Sequence, residues 1–146
     1  MNSEQIRLVQ ESFRQVVPIA DAAAALFYGR LFDLEPSLEA LFKGDMVEQG
    51  RKLMQMIGVA VKSLDRLEQV LPAVCALGAR HAGYGVREKD YDTVGRALIW
   101  ALKKGLGEGF TPEVEAAWAE TYAALAGVMK SAQAEAARTQ PAALAY

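Results

Sequence analysis

The sequence predicts a single all-α domain, and three observations carry that prediction. Apolar residues recur at three- and four-residue steps along most of the chain. Breaks at Pro18, Glu35-Pro36-Ser37, Phe42 to Asp45, Pro72, Gly83 to Gly85 and Gly105 to Pro112 cut that pattern into helix-length pieces. The 146 residues are 52% hydrophobic and 23% charged, enough apolar material for one full core and too little chain for a second ordinary domain.

The first helix covers about 4–17, with Ser3 as its cap, Glu4 in the first turn and Ile6, Val9, Phe13 and Val16 or Val17 as its stripe. Pro18 ends or kinks it. The second runs from about Asp21 to Leu34, where four alanines favour helix and Phe27, Leu31 and Leu34 continue the apolar face. Pro36 opens a short helix to Leu41, as proline does at a first helical position. After the loop Phe42 to Asp45, a long helix spans roughly Val47 to Ser63. Leu64 to Leu71 link it to a helix from Pro72 to about His81, stopped by Gly83-Tyr84-Gly85. The next covers Glu88 to Leu106, with Tyr91, Val94, Leu98, Ala101 and Leu102 inward. Thr111-Pro112-Glu113 open the last helix, which runs to about Ala137. The domain is thus 1–137, followed by a tail, 138–146. The unequal lengths do not suit a plain four-helix bundle and suggest packing around something.

Composition removes several function classes. Lys+Arg number 16 and Asp+Glu 18, net −2, a poor balance for gripping phosphates, so no nucleic-acid partner is expected. One cysteine, Cys75, excludes an internal disulfide and a multi-cysteine zinc site. The polar start carries an acid where a signal peptide carries a basic patch. The longest apolar runs, such as Ala22 to Tyr28, fall well short of the roughly 18 residues of a membrane helix. A cytoplasmic protein without membrane insertion is expected. The glycines at 105, 107 and 109 follow a helix rather than a strand, so they form a turn and not a dinucleotide loop.

His81 is the only histidine, so no pair of imidazoles exists in this chain. Cys75 lies six residues before it, on a different helical face. Two readings of His81 are open. One is a helix-end histidine satisfied by a carbonyl or water. The other is an axial ligand to haem iron, which needs a single neutral imidazole pointing inward from a short helix. A haem would require a polar counterpart across the pocket. Gln49 is the polar member of a stripe with Leu53, Met56 and Ile57, unless it is simply an exposed helix-start residue. Tyr28 sits within an apolar helix, either as a distal donor or as a core tyrosine with its hydroxyl tied off.

These residues resemble the globins, in particular the single-domain bacterial haemoglobins related to flavohaemoglobin globin domains and, more distantly, to neuroglobins. Leu26-Phe27-Tyr28 through Pro36, with Phe42 six residues on, resemble the B–C corner. Gln49-Gly50-Arg51-Lys52-Leu53 resemble the distal start of helix E, and Leu77-Gly78-Ala79-Arg80-His81 with Gly85-Val86 the proximal helix F and its corner. Tyr91 to Gly95, Phe110-Thr111-Pro112, Trp118 and Tyr122 resemble helices G and H. The likeness spans roughly residues 4–133 and implies the globin fold, a three-over-three sandwich of helices A, B, C, E, F, G and H.

The resemblance implies that haem b, iron protoporphyrin IX, is held by His81 as proximal ligand. It implies that Tyr28 and Gln49 are the distal polar residues and Leu53 the distal apolar wall. Phe42, Ile57, Leu77, Val86, Tyr91, Val94 and Leu98 would line the cofactor. Lys52 would meet a propionate, with Arg51 and Arg80 as competitors. One departure stands out: flavohaemoglobin-like proteins often support the proximal histidine with a tyrosine and a glutamate. Tyr91 matches the tyrosine, but the glutamate position is Gln133, with Glu135 nearby. An amide donates less electron density through the imidazole than a carboxylate, which speaks against peroxidase-like chemistry. O2, NO and CO are the implied ligands. The leading expectation is high-affinity oxygen binding, storage or scavenging by a monomer or homodimer. Nitric oxide dioxygenation with a separate reductase, and gas sensing, are the alternatives.

Overall fold

The structure, a computed structural model, describes residues 2–84 and 86–139. The described residues form six α-helices: α1 Ser3–Val16, α2 Ala20–Leu34, α3 Met46–Lys62, α4 Leu71–Tyr84, α5 Glu88–Leu106 and α6 Pro112–Thr139. Short 3-10 helices join them at Val17–Ile19, Pro36–Leu41, Leu64–Gln69 and Gly107–Gly109. No strand occurs among the described residues.

The helix ends follow local chemistry and shift several expected boundaries by one to three residues. Asn2, not Ser3, caps α1: its side chain accepts from the Gln5 N–H at 2.8 Å, and the Gln5 side chain accepts from the Asn2 N–H at 3.2 Å. Asp45 caps α3 by accepting from Val47 N–H at 2.9 Å. The segment opened by Pro36 is 3-10 rather than α-helical. Helix α4 begins one residue before Pro72 and continues three residues past His81, to Tyr84, so His81 lies in the last turn of the helix rather than at its final residue. The expected stop at Gly85 falls outside the described residues. Gly107 takes φ +56° just after α5, a left-handed position that glycine adopts without a Cβ clash. Helix α6 runs two residues beyond Ala137.

Two apolar cores hold these helices. The first joins Val9, Phe13 and Val16 of α1 with Val61, Leu64, Leu102, Val114 and Trp118. Its polar atoms are satisfied internally: Trp118 Nε1 donates to Ser12 Oγ at 2.8 Å, and Ser12 Oγ donates to Leu8 O at 2.7 Å. The second joins Phe27, Tyr28 and Leu31 of α2 with Leu38 and with Ala97 and Ala101 of α5. Helix α2 lies along α5 and crosses α3, while α6 carries α4 on one side and α1 and α5 on others. Among the described residues, α4 packs on α6 and on the 3-10 turn Leu64–Gln69, with no comparable packing against α2, α3 or α5.

Candidate functional site

Helices α2 and α3 set one side of the site. A Cβ built on Gly50 would lie 2.9 Å from the Ala24 Cβ, so the two backbones meet more closely than any larger residue would permit. That crossing brings the Gln49 side chain near the Tyr28 hydroxyl, close enough to act on its titration. Tyr28 is buried within an aromatic cluster. Its ring stands edge-on to Phe27 at 4.9 Å and to Phe42 at 5.3 Å, and Phe32 lies 5.6 Å from Phe42. Burial pushes the Tyr28 hydroxyl above the usual tyrosine range, opposed by the Gln49 side chain, so it is a protonated donor at neutral pH.

Phe42, Leu53, Val94 and Leu98 gather against the Tyr28 core and remain only half-buried. Ile57, expected among them, packs instead with the Val9–Phe13 core. Leu77 is half-buried on α4, four residues before His81. Lys52 is exposed and forms no ion pair among the described residues, whereas Arg51 lies 3.9 Å from both Asp21 and Glu48.

The other side is built on α4, α5 and α6. Helix α4 presses so closely on α6 that a Cβ on Gly78 would sit 2.5 Å from the Met129 carbonyl oxygen. Three residues on, His81 is half-buried, its Nδ1 3.3 Å from the Tyr91 hydroxyl and the two rings perpendicular. Burial, followed by the positive charge of Arg80, lowers the His81 pKa, which favours the neutral imidazole. Tyr91 Oη donates to Gln133 Oε1 at 2.6 Å, and Gln133 Nε2 donates to the Val86 carbonyl at 2.5 Å. Val86 N–H returns to the His81 carbonyl at 3.3 Å, and Tyr122 Oη donates to the Tyr91 carbonyl at 2.6 Å. Gln133 is therefore the residue that meets Tyr91, while Glu135 pairs with Arg138.

The sequence reading missed the support beneath this corner. Asp90 is 2% exposed and accepts from Arg87 N–H at 2.8 Å and from Arg87 Nη2 at 3.0 Å. The Arg-x-x-Asp spacing before the apolar stripe of α5 was the available signal for that box. Gly50, Gly78 and Gly95 likewise mark close helix contacts, and a lone glycine inside a periodic apolar segment was the sign to read.

The arrangement suits a flat, apolar, iron-bearing cofactor. One neutral imidazole stands on a helix that packs only weakly against the distal elements. The half-buried Phe42, Leu53, Val94 and Leu98 are apolar surface that such a ring would cover. No described helix is long and apolar enough to cross a membrane.

The globin family profile matches residues 25–129. Flavohaemoproteins of Halalkalibacterium halodurans and Bacillus subtilis are 28% and 25% identical over 131 residues, covering 88% and 86% of this chain. The chain spans about a third of those relatives, 32% of each. Among solved structures, an engineered carbene transferase made from a candidate nitric oxide dioxygenase of Rhodothermus marinus superposes with TM-score 0.86 at 25% identity, covering 94% of this chain and 96% of the other. A bacterial globin from Campylobacter jejuni superposes with TM-score 0.84 at 23% identity, covering 94% of this chain and 100% of the other.

Proposed function

The chain belongs to the globin family and has the globin fold, and on that premise we propose that it binds haem b through His81 and holds dioxygen tightly and reversibly between Tyr28 and Gln49. Ferrous haem supplies an iron that takes diatomic gases and shifts negative charge onto dioxygen. The chain's own residues respond to that charge. Tyr28 keeps its proton, so its hydroxyl and the amide N–H of Gln49 are both donors available to a ligand. A hydrogen bond to a charged acceptor contributes roughly 1.5–3 kcal/mol. One of about 1.4 kcal/mol slows release tenfold, which favours scavenging or storage over bulk delivery. The aromatic cluster of Phe27, Phe32 and Phe42 fixes the Tyr28 ring and keeps water from its edge.

The buried Tyr28 ring, held among Phe27, Phe32 and Phe42 with Gln49 near its hydroxyl, is the observation that carries this reading. The likeness to the Rhodothermus marinus nitric oxide dioxygenase candidate favours a second one, in which dioxygen, nitric oxide and an electron from a separate reductase give nitrate. Stopped-flow mixing of the reduced, haem-loaded protein with oxygen and then nitric oxide tests both. Slow oxygen release supports the binding role. Sustained nitric oxide consumption with an added reductase supports the enzyme. A purified protein without a haem absorption band, even after haem is supplied, contradicts both.

A further inference from the structure

We propose that the face formed by α2 and α5 around Trp100 docks an acidic protein surface, with the indole as its anchor and Arg30, Arg96, Lys103 and Lys104 as its charged rim, a role independent of haem binding.

Helical spacing builds the patch. Arg96 lies four residues before Trp100, and Lys103 and Lys104 three and four after it, so α5 presents all three on the side of the indole. The packing of α2 along α5 adds Arg30. The Arg30 guanidinium carbon stands 5.2 Å from the Trp100 ring centroid, and Lys104 Nζ stands 5.6 Å from it. Arg96, Lys103 and Lys104 are exposed, while Trp100 is half-buried against the core of Phe27, Tyr28 and Leu31. The four cations form no ion pair among the described residues. Acids border the patch without neutralising it: Asp92 turns to Lys130 at 3.9 Å, and Glu115 shares a groove with Lys103 without reaching ion-pair distance. Arg30 Nε is buried with no hydrogen-bond partner among the described residues, a donor that an incoming carboxylate would satisfy. All this occurs on a chain of formal net charge −2, so the positive field belongs to one face and not to the molecule as a whole. Tryptophan and arginine are the side chains that protein interfaces use as anchors, and an indole already held by two cations loses little freedom on docking. A rim of cations selects carboxylates and speeds their approach. A second copy across a two-fold axis would instead set these cations against themselves. A lipid surface would need apolar side chains projecting past the cations, whereas Trp100 leans on its own core.

The test uses the purified protein with labelled indole nitrogens, reduced under carbon monoxide so that any bound iron is diamagnetic. The two tryptophans give two indole N–H signals, assigned by Trp100→Phe. Trp118, buried and bonded to Ser12, reports that each variant is folded, and Trp100 reports the patch. Poly-L-glutamate is the probe. Its addition should shift the Trp100 signal, leave Trp118 in place and lose its effect as salt rises. Arg30→Gln and Lys104→Gln should each weaken binding about fivefold, the factor carried by one exposed ion pair, and the double variant more than either. Lys62→Gln, at the end of α3, should leave binding unchanged. A Trp100 signal that polyglutamate does not move overturns the proposal. So does an equal loss in Lys62→Gln, which would reduce the effect to net charge. Binding to phosphatidylglycerol vesicles but not to polyglutamate, or a dimer that Trp100→Ala dissolves, also overturns it, by assigning the face to lipid or to a second copy.

Discussion

Gly50 and Ala24 meet so closely that a Cβ on Gly50 would lie 2.9 Å from the Ala24 Cβ. Both are backbone-anchored positions, so neither can rotate away. Gly50→Ala would gain up to about 1 kcal/mol of helix propensity but force the two helices apart, at an overpacking cost of about 1–3 kcal/mol. We predict a net loss of about 1 kcal/mol in chemical denaturation and faster oxygen release, because Gln49 moves with its neighbour away from Tyr28. A variant of unchanged stability and oxygen kinetics would show that the crossing does not set the distal pair.

Asp90 supplies a pH-dependent contribution. Burial alone would raise its pKa, but the Arg87 side chain and backbone N–H overcome this and hold the carboxyl below its ordinary value of 3.8. The folded pKa is the lower one, so the unfolded chain binds more protons and stability rises with pH through this range. Asp90→Asn should cost about 2 kcal/mol near neutrality, where bonds to a charged group are lost. The difference from wild type should shrink below about pH 4 as the native carboxyl itself protonates. Urea midpoints compared at neutral and acid pH check this, and a difference that stays constant would contradict it.

Much of this was legible in the sequence. The apolar stripe of α1 predicted Val9, Phe13 and Val16 inside, and all three are buried. Of the two candidates ending that stripe, Val17 is 58% exposed, because the 3-10 turn around Pro18 rotates it outward. Ser3 was mistaken for the cap because only its residue type was weighed; Asn2 has Gln5 three residues on and completes a reciprocal box. Ile57 shares the helical register of Leu53 yet packs against the Val9–Phe13 core, a placement that depends on where α1 lies and that register alone does not give. Gln133 and Glu135 could not be separated by counting along α6; only the packing of α4 on α6 shows which one meets Tyr91.

His81→Ala should abolish tight haem binding, with partial recovery when free imidazole fills the vacated volume. Haem titration followed by absorption checks it. No second histidine can substitute. An unchanged ferrous spectrum in the variant would mean that iron is held elsewhere.

The most direct test of the central claim is the oxygen dissociation rate of Tyr28→Phe against wild type, with carbon monoxide measured alongside. Tyr28 is a protonated donor beside Gln49, and oxygen gathers charge on binding where carbon monoxide gathers little. The account predicts oxygen release at least about tenfold faster, the loss of roughly 1.4 kcal/mol, with Gln49→Leu smaller because glutamine loses more rotamer freedom in making its bond. Carbon monoxide release should barely change. Oxygen release that stays at the wild-type rate, or equal acceleration of both gases, would contradict the account and leave Tyr28 a steric element of the core.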